Sequence, residues 1–121
     1  MGLDTSHGAY NGSYSGFHNF RVELARVAGL PPLDSMEYYG GNIPWSSLEE
    51  TPLMILLLHS DAEGGITWSD CKLLADYLTT LLDKFENVPE EYYHYSYLYQ
   101  TEKFIKGCMS AYESKENLEF N

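Results

Sequence analysis

Apolar residues recur at helical spacing along most of this chain, and the pattern predicts a mainly α-helical protein of about four helices. Phe17, Phe20, Leu24 and Val27 lie three or four positions apart, which places them on one face of a helix. Ser15 stands where a cap belongs and Gly29 where a helix stops, so the first helix should run to about Ala28. A more regular stripe follows later: Trp68, Cys71, Leu74, Ala75, Leu78, Leu82 and Phe85. Thr67 caps it and Asn87-Val88-Pro89 breaks it. Between these stripes, Leu53 to Leu58 is continuously apolar. Ile55 is its one β-branched residue, and Leu and Met favour helix over a buried strand. Its start is marked either by Ser46 or Ser47 with Glu49 or Glu50 at capping-box spacing, or by Thr51-Pro52.

The remaining segments are less regular. Phe104, Cys108 and Ala111 imply a last helix, expected from about Pro89 or later to Tyr112, although Tyr93, Tyr95, Tyr97 and Tyr99 alternate at strand period. Residues 1–14 are rich in Gly, Ser, Asn and Tyr and read as a loop-like arm. Residues 30–45 hold Pro31, Pro32, Gly40, Gly41 and Pro44, the composition of a long irregular connection. Leu33, Met36, Tyr38, Tyr39, Ile43 and Trp45 should pack that connection onto the domain. Asn117 to Phe120 reads as a short strand, and Ile66 is the expected partner for one small β pairing. Neither a repeat nor a linker divides the chain, so residues 1–121 form a single domain.

The segment from His59 to Asp70 carries the most chemistry. With Gly64 at the turn position of a twelve-residue calcium loop, Asp61, Glu63, the Gly65 carbonyl, Thr67 and Asp70 fall at ligand positions. Ile66 falls where an aliphatic residue normally makes a short β pairing. Over residues 50–85 the chain therefore resembles the EF-hand family. That resemblance implies a helix-loop-helix with Asp61, Glu63, Gly65 and Asp70 as ligands for calcium or magnesium. His59 occupies the first ligand position, where a neutral imidazole is a poor donor to a hard cation. Thr67-Trp68-Ser69-Asp70 is also a capping box in its own right, and Gly64-Gly65 suits a tight turn.

A second likeness is broader. Met1-Gly2-Leu3-Asp4 with His7, Tyr14-Ser15-x-Phe17, His59-Ser60-Asp61-x-x-Gly64, Phe104-Ile105-x-Gly107-Cys108 and Leu118-Glu119-Phe120 resemble an uncharacterised family of small proteins from bacteria and their phages. The resemblance implies a cytoplasmic, phage or prophage setting and no defined activity.

Charge narrows the choice. Eighteen acidic residues against seven basic ones give a formal net charge of −11. Twelve of the acids lie after residue 60, against five lysines. Direct nucleic-acid binding is disfavoured, because phosphate neutralisation needs clustered Lys and Arg. Membrane attachment is disfavoured too. The longest apolar run is far too short to span a bilayer. Gly2 with Ser6 matches a myristoylation pattern but has no basic patch to provide a second membrane signal. The first residues lack the positive start and apolar core of a secretory leader, so Asn11-Gly12-Ser13 reads as sequence and not as a glycosylation site. Cys71 and Cys108 sit in helical patterns as core thiols, in keeping with a reducing compartment.

No constellation of catalytic residues emerges. Phosphate loop, nucleophile elbow and HExxH are all missing, and Asp4, His7 and His18 match no zinc spacing. The tyrosines are the stronger signal: eleven in all, with Tyr92, Tyr93, Tyr95, Tyr97 and Tyr99 crowded together. Tyrosine tolerates both burial and water and is enriched where proteins meet. The expectation is a non-enzymatic interaction protein that meets a protein partner through this acidic, tyrosine-rich region and needs no cofactor. A divalent-cation protein using the 59–70 loop is the alternative.

Overall fold

In the computed structural model, which describes residues 2–121, the chain begins with a hairpin and not with the expected loop-like arm. Strand β1 (Gly2–Asp4) pairs antiparallel with β2 (Asn11–Ser13), Leu3 facing Gly12. The reversal runs through a short 3-10 turn at Ser6–Gly8, where His7 and Gly8 adopt positive φ. Inside it, the Thr5 hydroxyl accepts the Tyr10 backbone N–H at 2.9 Å, and the Tyr10 hydroxyl donates to the Ser13 carbonyl. Composition conceals this hairpin because each strand is only three residues long and Leu3 is its one buried position. Too few residues alternate for a period to show.

Helix α1 (Tyr14–Val27) follows without a break, capped by Ser13 and not by Ser15: Ser13 Oγ accepts the Gly16 N–H at 2.9 Å. Gly29, at φ 81°, turns the chain away as expected. The 30–45 connection is ordered by its own polar groups. The Trp45 indole donates to the Glu37 carbonyl and the Trp45 N–H to the Glu37 carboxylate, both at 2.9 Å. Leu33, Met36 and Trp45 are buried, but Tyr38 stands 83% exposed.

Helix α2 (Leu53–Leu57) is only five residues long and has no side-chain cap. Neither capping signal operates: Ser47 belongs to a preceding 3-10 turn and donates to the Pro44 carbonyl. Strand β3 (Gly65–Ile66) leads into helix α3 (Trp68–Leu81), which Thr67 caps through the Asp70 N–H. A 3-10 turn at Leu82–Lys84 ends it before Phe85.

The last helix starts at the late end of the expected range. Glu90–Tyr95 forms a 3-10 segment, Ser96 turns to extended geometry, and α4 (Tyr97–Ser114) begins with Ser96 Oγ accepting the Tyr99 N–H. Strand β4 (Leu118–Glu119) then pairs with β3, Ile66 facing Leu118, which is the short β pairing expected.

The structure is thus mainly α, with four α-helices among the described residues and two small antiparallel sheets. Its core is the contact between α3 and α4, to which α1 contributes Phe17, Phe20 and Leu24. Cys71 and Cys108 are free thiols inside that contact. The neighbouring Cys71 thiol, together with burial, pushes the Cys108 thiol well up. No described helix is long and apolar enough to cross a membrane.

Candidate functional site

The His59–Asp70 segment connects α2 to α3, but its side chains serve the fold. The His59 ring lies over Phe120 with centroids 4.2 Å apart, and its Nε2 is 3.2 Å from the Gly65 carbonyl oxygen. The imidazole at the first ligand position thus lies beside the carbonyl at the seventh, with its Nδ1 closer still, at 2.7 Å, to the Ser60 carbonyl oxygen. Ile66 makes its β pairing with Leu118 of the same chain, as it would with a second hand. Asp61 and Glu63 are exposed, and Asp70 lies on the first turn of α3. Among the described residues, no three His, Cys, Asp or Glu side chains form a group able to hold a metal. The five-residue α2 is also shorter than the entering helix of a helix-loop-helix of the EF-hand kind.

The tyrosine cluster divides into two sets. Tyr93 and Tyr99 are half-buried and meet edge to face at 5.2 Å. The Tyr93 hydroxyl donates to the Glu102 carboxylate, and this bond holds the phenol above its ordinary value. Tyr92, Tyr95 and Tyr97 point outward, 59%, 89% and 41% exposed. The irregular 90–96 backbone causes this separation, since a continuous helix would distribute the same residues around its axis.

A third feature escaped the sequence reading. A groove of about 780 Å³ opens between α1, the 30–45 connection and the end of α2, lined by His18, Arg21, Tyr38, Tyr39, Leu57 and Leu58, with His59, Ser60 and Asp61 at its edge. Arg21 belongs to α1 and is only 4% exposed. Its Nη1 donates to the His59 carbonyl at 2.9 Å and to the Leu56 carbonyl at 3.4 Å. The guanidinium carbon sits 4.8 Å from the Phe17 ring centre and 5.4 Å from that of Tyr39. Among the described residues, Nε is buried without a partner and no carboxylate lies within ion-pair distance. Burial raises the Tyr39 phenol; Arg21 pulls it down and Asp61 pushes it up. A signal for Arg21 was present in the sequence. Position 21 falls on the stripe of Phe17, Phe20 and Leu24, and a charge on an apolar face is the anomaly to notice.

Comparison with known proteins finds no family model that matches the chain, and neither a curated protein nor a solved structure similar to it. The likenesses to EF-hands and to small phage proteins therefore rest on the quoted residues alone.

Proposed function

We infer that this chain is a small acidic interaction module that docks on a basic surface of a protein partner through the segment joining α3 to α4. The observation that carries the reading is the outward projection of Tyr92, Tyr95 and Tyr97 from one short segment. Glu86, Glu90 and Glu91 are exposed beside them. Aromatic anchors set beside a group of acidic side chains combine contact energy with steering towards an oppositely charged partner. A cytoplasmic setting, and inhibition of a host factor by a phage-encoded protein, agree with the charge and with the quoted sequence likeness. Cation binding by the 59–70 loop has no observation in its favour beyond the residue pattern.

The test is recovery of a stoichiometric partner from the native host by the wild-type chain and by Tyr92→Ala/Tyr95→Ala. Both side chains are largely solvated, so the variant should melt as the wild type does and lose the partner. Recovery should also fall between roughly 0.1 and 0.5 M salt, where exposed charges become screened. Equal recovery by the folded variant would overturn the assignment of the surface.

A further inference from the structure

We propose that the groove around Arg21 binds a small organic anion, with its carboxylate or phosphate on the guanidinium and a flat or apolar body between Tyr38, Tyr39 and Leu58. This site is separate from the interaction surface, because Tyr92, Tyr95 and Tyr97 do not line it.

The first argument is charge. Lys and Arg number seven in a chain of net charge −11, yet Arg21 is buried and makes no ion pair. A buried guanidinium without a counter-ion retains most of its desolvation cost, and carbonyl hydrogen bonds from one nitrogen offset only part of it. Nη1 makes both of those bonds, Nε is shut away without one, and Arg21 lines the groove. A guanidinium suits a carboxylate or phosphate, whose oxygens accept charge-assisted hydrogen bonds from it.

The second argument is shape. The groove volume is in the range that takes a metabolite-sized ligand, far more than one inorganic ion needs. Its walls are amphipathic: two tyrosine rings, Leu57 and Leu58, with His18 as a further hydrogen-bonding group. Tyr38 holds φ 71° while 83% exposed. An exposed aromatic in left-handed backbone is strained for a residue with a bulky side chain, and such strain tends to gather at ligand sites. The 30–45 connection holds it there through the Glu37–Trp45 bonds. Among the described residues, Asp61 is the one carboxylate that lines the groove, and it is exposed to water. It opposes an anion and would attract a cation, so it distinguishes the two.

The probes are benzoate, adenosine 5′-monophosphate and inorganic phosphate, titrated while the His18 and His59 ring resonances and the melting temperature are followed. Saturable shifts with benzoate or the nucleotide, and weaker ones with phosphate alone, are the expected result. Arg21→Met should abolish binding. If that variant fails to fold, Leu58→Glu at the exposed rim is expected to weaken binding at least about tenfold by setting a second carboxylate against the ligand. Tyr38→Ala should weaken it, and Asp61→Asn should strengthen it a few-fold. The proposal is overturned if none of the three probes saturates, if binding survives Leu58→Glu unchanged, or if Asp61→Asn weakens it.

Discussion

Ala9, in the loop of the N-terminal hairpin, rests on Gly107 of α4 so closely that a Cβ at position 107 would lie 2.4 Å from the Ala9 Cβ and 2.7 Å from its Cα. Glycine in a helix interior normally costs stability relative to alanine. Here it makes space for a neighbouring backbone. Gln100, two turns away on the same face of α4, donates to the Ala9 carbonyl at 3.1 Å and fixes the same contact. Gly107→Ala should therefore destabilise, the reverse of its effect in an exposed helix. Overpacking costs about 1–3 kcal/mol, and the recovered helix propensity returns about 1 kcal/mol. Urea denaturation should place the variant below the wild type. Equal or greater stability would mean that the hairpin moves aside freely.

Much of the architecture was legible because its signals are periodic or local. Phe17, Phe20, Leu24 and Val27 are buried where a 3.6-residue repeat puts them, and Thr67 caps α3 as its hydroxyl and position suggest. Ile66 pairs with Leu118 because both are isolated apolar residues in polar surroundings. What was hidden is either short or nonlocal. The β1–β2 hairpin has too few residues for a period. The Ser96 cap is obscured by tyrosines that suit helix and strand alike. The Arg21 groove is assembled from α1, the 30–45 connection and the end of α2, so one residue out of character was its only trace in the sequence.

Alkaline pH should weaken the fold through Tyr39. Burial raises its phenol, Arg21 lowers it and Asp61 raises it, with a net upward shift. Tyr10 is likewise raised by burial, with Tyr97 adding to it. The folded state then holds these protons more tightly than the unfolded chain. Their contribution is complete below the ordinary tyrosine value of about 10 and is lost as pH rises through the raised values. Tyr39→Phe removes one of the raised phenols and should flatten the decline. At neutral pH it sacrifices the hydroxyl bond to the Leu57 carbonyl, about 1 kcal/mol. Melting temperatures from about pH 8 to 11 for both proteins decide it; parallel curves would exclude Tyr39 as a source of the alkaline loss.

Phe120 should be among the costliest positions to truncate. Its ring meets Phe17 edge on at 5.9 Å and lies under His59, while its backbone bridges to Thr5 and donates to the Gly64 carbonyl at 2.8 Å. It thus joins α1, the 59–70 segment and the N-terminal hairpin. Phe120→Ala leaves the backbone bonds and removes the ring, at a cost of about 3–5 kcal/mol. Chemical denaturation measures it. A loss below about 1 kcal/mol would mean that the site collapses around the missing ring.

His59→Asp distinguishes a calcium loop from a structural connector. The substitution restores a carboxylate at the first ligand position, so a loop limited only by His59 should gain calcium affinity. Geometry predicts the opposite result. The imidazole covers Phe120 and sits 3.2 Å from the Gly65 carbonyl oxygen, and its replacement loses both contacts. Aspartate would also bring another negative charge close to Asp61 and Glu63 in a chain already at −11. The variant should melt several degrees below the wild type, and roughly millimolar calcium, the weak end of EF-hand affinity, should not restore it. The wild type should be equally indifferent to the ion. Recovery of His59→Asp stability on adding calcium would show that the loop reorganises into a cation site once its first ligand is supplied.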